Sequence, residues 1–366
     1  MTSFLTPLAA ALPSSVPFTG PETLERREGR PFRARLGANE SGFGPSPQAV
    51  AAMQRAAAEV WMYADPENHD LKVALAAHHR VTPAHLVVGP GIDNLLNLTC
   101  RLTLAPGVPV VTSLGAYPTF NFHVEGFGGS LHRVPYRGDH EDPDALLDKA
   151  RTTRARLLYL ANPDNPMGSH HPAVVIEDLV ANLPPETLLL LDEAYADLAP
   201  EGTVPQIAAD HPQVIRYRTF SKGYGMAGAR VGYALAAPEM AQAFNKVRDH
   251  FGMCRISQAG ALAALQDQPY LRGVQTAVAT ARARVGRIAA ANGLRALPSA
   301  TNFVSVDCRR DGDFARRVLA ECQSRGLFIR MPGVAPLDRC IRISLGPEAA
   351  LDVLEEILPQ ALAAAG

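Results

Sequence analysis

A lysine, two hydroxyls, three glycines and an arginine share one short stretch, Thr219-Phe220-Ser221-Lys222-Gly223-Tyr224-Gly225-Met226-Ala227-Gly228-Ala229-Arg230. It lies between two apolar runs, residues 214–217 and 231–235, that read as internal strands. An amine held against such strands is partly desolvated, loses its proton more easily and can attack a carbonyl. Thr219 and Ser221 are two apart on an extended chain, so their hydroxyls share a face. Arg230 adds a permanent positive charge. Together these groups read as a seat for an aldehyde that carries a phosphate. Taken alone, the stretch is equally compatible with a glycine-rich loop that turns the chain and leaves Lys222 exposed.

Other strand ends carry complementary chemistry. The run 86–88 ends in Gly89-Pro90-Gly91-Ile92-Asp93-Asn94 and leads into a helix, whose free N–H groups and dipole favour a phosphate. A plain strand–turn–helix junction capped by Asp93 has the same sequence. The next strand is followed by Gly115-Ala116-Tyr117, and an aromatic there stacks on a flat ring or fills a core. Strand 156–160 ends in Ala161-Asn162-Pro163-Asp164-Asn165-Pro166-Met167-Gly168, where the prolines fix a turn and Asn165 can donate to a ring oxygen. Strand 187–191 ends in Asp192-Glu193-Ala194-Tyr195. A carboxylate closing an apolar strand needs a cationic partner or serves as a helix cap. A protonated pyridine nitrogen is such a partner, with Tyr195 in reach of the ring's phenolic oxygen. A phosphate cup, a stacking ring, an oxygen partner, a nitrogen partner and an amine thus occur on successive strand ends. Pyridoxal phosphate is the molecule that uses all five.

The elements that position these residues alternate. Helices are expected at 48–60, 71–79, 93–104, 118–125, 143–150 and 173–182, and strands at 86–88, 109–112, 131–135, 156–160 and 187–191. Short apolar strands alternating with helices imply a largely parallel sheet covered on both faces, with ligands at the strand ends. Residues 35–47 read as loop. After residue 235 the pattern changes: a helix at 241–249, a long helix at 257–291 interrupted near Pro269, then strands at 303–306, 328–330 and 340–344 between helices at 314–325 and 348–362. That is a second, α+β unit. The expected division is an N-terminal arm over 1–40 packed on the second unit, a large domain over 41–250, and a hinge helix with the small domain over 251–366.

At 366 residues the chain exceeds one typical domain, and its net charge of -1 gives no electrostatic reason for nucleic-acid binding. Five scattered cysteines, never in C-x-x-C spacing, read as free thiols in a reducing compartment. The pairs His78-His79 and His170-His171 lack companion ligands at metal spacing, so no metal is expected. The apolar start lacks a basic segment and is broken by Pro7, Pro13 and Pro17, and no run is long enough to span a membrane. The expected location is cytoplasmic.

On these motifs the chain resembles the fold-type I pyridoxal-phosphate aminotransferases and is most similar to the histidinol-phosphate aminotransferases. The resemblance runs from about Arg35 to Leu362. It rests on A-N-E-S-G-F-G-P-S-P at 38–47, Y-A-D-P at 63–66, N-P-M-G at 165–168, D-E-A-Y at 192–195, T-F-S-K at 219–222 with Arg230, and I-R-I-S-L-G at 341–346. It implies a large α/β domain with a mostly parallel seven-stranded sheet between helices, plus a smaller α+β domain. It implies Lys222 as the Schiff-base lysine, Asp192 on the pyridine nitrogen, Tyr195 and Asn165 on the ring oxygen and Tyr117 stacked. Thr219, Ser221, Arg230 and the Gly91-Ile92-Asp93 turn would hold the phosphate. Tyr63 would reach that phosphate from the partner of a homodimer with composite sites. Arg342 would anchor the substrate's acidic group, with Arg330 and Asn39 as further substrate contacts. The implied reaction moves an amino group from an amino acid or histidinol-phosphate-like amine to a 2-oxo acid such as 2-oxoglutarate; decarboxylation on the same scaffold, as in phosphothreonine decarboxylase relatives, uses the same cofactor residues. The chain departs from the family at Met167, where threonine is usual, at Asp93-Asn94, where an acidic pair is usual, and at Phe18, near the place of a phosphate-binding tyrosine.

Overall fold

The computed structural model describes residues 4–14 and 18–366; Pro17 lies outside the described residues. The N-terminal arm forms two short helices, Pro7–Ala11 and Pro21–Glu28, each opened by a proline at its first turn. It then supplies a strand, β1 (Ala34–Arg35), within the stretch bordering the expected loop. β1 pairs in parallel with β11 (Leu327–Phe328), so the arm enters a sheet of the second unit.

The large sheet has seven strands: β2 (Leu86–Gly89), β3 (Pro109–Ser113), β4 (Ser130–Val134), β5 (Leu157–Ala161), β6 (Leu188–Asp192), β7 (Val214–Thr219) and β8 (Gly232–Leu235). Their order is β2-β8-β7-β6-β5-β3-β4, with β8 antiparallel to both neighbours and the other pairings parallel. Every residue of β5 and β6 is buried, which is why both read as continuous apolar runs. Their side chains alternate between faces. Leu157, Tyr159, Leu188 and Leu190 join one core cluster, while Leu158, Leu160, Leu189 and Leu191 join the other.

The small unit is built on β12-β10-β9: β9 (Arg295–Ala296), β10 (Phe303–Asp307) and β12 (Cys340–Ser344), all antiparallel. The long helical segment is two helices, Arg255–Gln266 and Gln268–Ala291. They part at Asp267, whose carboxylate accepts from the Tyr270 N–H and caps the second helix next to Pro269. The expected helix over 241–249 is shifted instead. It starts at Pro238, where the missing N–H costs nothing, ends at Ala243, and passes into one 3-10 turn, Phe244–Lys246. The Arg248 side chain then binds Asn245 and the Pro66 carbonyl, tying that segment across to a loop. The strand expected at 328–330 is displaced to Leu327–Phe328, with one isolated bridge from Arg330 to Arg342. All five cysteines are free and only Cys254 is exposed.

Candidate active site

The C-terminal ends of β2, β3, β5, β6 and β7 surround a cavity of about 230 Å³. Its walls include Ile92, Asp93, Tyr117, Asn165, Asp192 and Tyr195, and on the other side Thr219, Ser221, Lys222 and Arg230. Ten side chains singled out in the sequence therefore meet in one place. Local geometry explains each.

Thr219 ends β7 with its hydroxyl 2.9 Å from that of Ser221, and the same oxygen accepts from the Ser221 N–H at 3.0 Å. Arg230 donates to the Ser221 hydroxyl and to the Ala227 carbonyl. Its guanidinium lies directly over Gly91, which adopts φ +88° at the start of the helix Ile92–Thr103. A Cβ on Gly91 would strike that guanidinium, and a Cβ on Gly232 would sit 2.8 Å from the Gly91 carbonyl carbon. Glycine at both positions lets hydroxyls, guanidinium and helix N-terminus converge, which is the donor set of an anion cup.

Asp192 is only 7% exposed. One carboxylate oxygen accepts from the Tyr159 hydroxyl at 2.7 Å and the other from the Ala194 N–H at 2.9 Å. No cation pairs with it among the described residues, and burial pushes its pKa up to about 6 against the pull of those hydrogen bonds. A ring nitrogen carrying a proton would supply the missing charge. Lys222 is brought down to about 8, first by burial and then by the positive field of Arg342, while Asp93 opposes the shift. Its amine donates to the Asn39 carbonyl at 3.0 Å. The cup, the unpaired carboxylate and the softened amine fit pyridoxal phosphate.

Tyr117 is directed otherwise than by stacking alone. Its hydroxyl donates to Asp93 at 3.0 Å, and its ring lies 6.3 Å from that of Phe18 at an interplanar angle of 21°. Arg342, half-buried on β12, donates to the Asn165 side-chain oxygen at 2.6 Å and covers the Phe303 ring. That contact uses the Asn165 side-chain oxygen, and among the described residues its NH2 makes no hydrogen bond. Burial and the neighbouring Arg330 bring Arg342 down to about 10. Besides Gly91 and Arg342, three more of the sequence-selected residues lie off the cavity wall. Arg330 is held by the arm, donating to the Thr19 carbonyl at 2.7 Å and packing over Phe18. Asn39 spends its amide on the Tyr195 hydroxyl at 3.1 Å. Tyr63 is 78% exposed and packs on Phe251, with ring centroids 4.6 Å apart.

Two residues at the site were not singled out in the sequence. Tyr159 is the one polar group in the leucine run of β5 and shares the Ala161 face, a signal that was available. Asn302, which binds the Asn39 carbonyl, gives no local signal.

A model of class I and II aminotransferases matches residues 34–358. Histidinol-phosphate aminotransferase from Sinorhizobium meliloti, solved in complex with pyridoxal-5'-phosphate, is 54% identical, with TM-score 0.97 over 100% of this chain and 99% of that one. Histidinol-phosphate aminotransferase 2 of Ralstonia nicotianae is 36% identical over 338 residues, 90% of each chain. The histidinol-phosphate aminotransferase of Moorella thermoacetica is 32% identical over 345 residues, 92% of this chain and 88% of its own. With the match spanning nearly the whole chain and the anion cup, carboxylate and lysine all in one cavity, this protein belongs to the class I and II aminotransferases.

Proposed function

We propose that the chain is a pyridoxal-phosphate-dependent aminotransferase of the histidinol-phosphate aminotransferase type, moving an amino group from an amino acid or a histidinol-phosphate-like amine to a 2-oxo acid. The observation that carries this reading is the pairing, in one cavity, of a buried carboxylate without a cation and a lysine amine softened to about 8. When bound, the cofactor supplies the electron sink, and that chemistry is its own. The chain's residues do the rest. Thr219, Ser221, Arg230 and the Gly91-Ile92-Asp93 turn, through the first-turn N–H groups of Ile92 and Asp93, hold the phosphate. Asp192 holds the ring proton, with Tyr159 and the Ala194 N–H fixing the carboxylate. Tyr195 and Asn165 direct donors at the ring oxygen, and Tyr117 covers the ring. Lys222 anchors the cofactor and, once free, moves a proton from the substrate's α-carbon as general base. Arg342 draws the substrate's acidic group beside Asn165, with Arg330 and Asn39 closing that side.

We infer further that two copies form a two-fold dimer with composite sites. Tyr63 does not reach its own chain's cavity. It stands beside Trp61, 80% exposed, and Phe251, in an apolar patch of the kind that a second copy covers.

The test is a half-reaction screen. Amino acids and histidinol phosphate are added singly to the yellow holoenzyme and the cofactor absorbance is followed. Transamination converts the chromophore without carbon dioxide release, whereas decarboxylation releases it and needs no oxo acceptor. Borohydride fixation is expected to place the cofactor on the peptide containing Lys222, and Lys222→Ala to abolish turnover in a folded protein. Label on any other peptide overturns the assignment.

A further inference from the structure

The Lys222 amine rests on a backbone carbonyl from the N-terminal segment, and that carbonyl is held by a third part of the chain. Asn39 adopts φ +55°, a left-handed conformation that a non-glycine residue keeps only when its surroundings hold it there. Its N–H is taken by the Ser344 hydroxyl at 2.9 Å, and its side chain by Tyr195. Its carbonyl accepts from Lys222 at 3.0 Å and from the Asn302 amide, also at 3.0 Å. The same Asn302 NH2 reaches the Glu40 carbonyl at 3.2 Å. Asn302 is 1% exposed and directly precedes β10, so its backbone belongs to the small unit's sheet edge. Its side-chain oxygen is buried with no partner, so the residue keeps a polar group unsatisfied while both N–H donors serve the 39–40 backbone.

We propose that Asn302 is a positioning residue for proton transfer: it aims the Asn39 carbonyl at Lys222 and so fixes where the amine rests when it is not bound to the cofactor. Lys222 reaches the cavity on a flexible four-carbon stem, and a fixed acceptor at its tip removes orientations that do not face the substrate. The charged groups that act on the amine are Arg342, Asp93, Arg230, Glu40 and Asp192, with the Tyr195 ring 5.5 Å away; of these Asn302 meets only Glu40, through its backbone carbonyl. This inference rests on the reading of Lys222 as the proton carrier.

The experiment uses the full-length chain cleared of cofactor. The rate of pyridoxal phosphate uptake is followed by absorbance across neutral and alkaline pH, for wild type, Asn302→Ala and Asn302→Leu. Wild-type uptake rises through a midpoint set by the amine, about 8. Without the Asn302 donors the carbonyl turns away and the ammonium form loses its acceptor, so the midpoint falls by about one unit in both variants. In the reconstituted enzymes kcat falls about tenfold while KM for the amino donor stays within about twofold. An unchanged midpoint in folded variants overturns the proposal, since loss of packing alone lowers only the melting temperature. An upward shift overturns it too, because it means the carbonyl stays in place and Asn302 merely competes with the amine. Recovery of the wild-type midpoint by leucine, which keeps the volume but not the donors, would assign Asn302 a space-filling role. Borohydride mapping on the same samples separates failure of this inference from failure of the Lys222 assignment.

Discussion

Asp192 and Glu193 are adjacent carboxylates at one strand end, both buried, and they have opposite fates. Glu193 accepts from Arg216 at 2.8 Å and from Arg218 at 2.9 Å, and Arg218 goes on to Asp197 at 3.2 Å. Those guanidinium charges outweigh burial and hold the Glu193 carboxyl below its usual range. Asp192, on the opposite side of the extended chain, meets a tyrosine hydroxyl and an N–H but no cation, and burial lifts it to about 6. One charge is neutralised by the protein itself. The other is left for a ligand, and that contrast marks the site more sharply than the presence of an acid does.

The comparison breaks first on activity. Asp192→Asn keeps the shape but cannot hold a ring proton as an anion does, so turnover is expected to fall by about a hundredfold or more with the fold unchanged. Near-normal turnover, measured after saturating with cofactor, would make Asp192 a local cap. Glu193→Gln is expected to leave the turnover of folded enzyme close to wild type.

Stability of the cofactor-free protein gives the second test, with opposite signs at neighbouring positions. Asp192 has a folded pKa of about 6 against an unfolded value of 3.8. Its contribution is therefore intact below about pH 4 and is lost as pH rises through about 6, a cost of about 3 kcal/mol at neutral pH. Glu193 is shifted down, so its stabilisation is present above the unfolded pKa and is lost as pH falls through the folded one. At neutral pH Asp192→Asn should raise the melting temperature of the apoprotein. Glu193→Gln should lower it, through a stability loss of about 3 kcal/mol, since it leaves Arg216 without its charged partner and weakens the hold on Arg218. Equal shifts of the same sign would sink the distinction.

Tyr63 carries the same logic to the surface, because its hydroxyl has no partner within its own chain among the described residues. Tyr63→Phe is expected to weaken cofactor retention by about 1.5–3 kcal/mol, the worth of one hydrogen bond to a charged group. Subunit exchange between Tyr63→Phe and Lys222→Ala proteins should recover activity, since both lesions then fall in one composite site and the other is intact. Failure to recover would place Tyr63 in the service of its own subunit.

Much of the cofactor side of the cavity was legible in the sequence because its groups close or follow strands, and the family resemblance placed the rest. Asp192 follows leucines 188–191, Thr219 ends β7, and Gly91 follows Leu86–Gly89, so strand periodicity alone brings them to one edge. The substrate side was not legible in the same way. Asn39 meets Lys222 across 183 residues and Asn302 across 263, and no local pattern encodes those distances. Arg330 was selected, but its capture by Thr19 and Phe18 depends on where the arm crosses the small unit. The helix expected at 241–249 failed for a local reason: the segment starts at Pro238 and is bound to a loop after Phe244. Tyr159 was missed although its place in β5 announced it.

The three-part holding of Lys222 also bears on synthesis. A ribosome delivers Asp192, the lysine and both halves of the anion cup by the end of β8, but Asn302 and Arg342 arrive only with the small unit's strands. A nascent chain at that stage carries the residues of the phosphate and aldehyde seat, while the helix Arg255–Gln266 that packs behind Phe220 and Met226 has yet to emerge. It cannot yet offer the Asn302 amide that aims the Asn39 carbonyl at the amine, or the guanidinium that draws in a substrate. The residues that seat the cofactor and those that orient the amine and draw in a substrate are thus delivered at different times, and a product truncated after β8 lacks the second set.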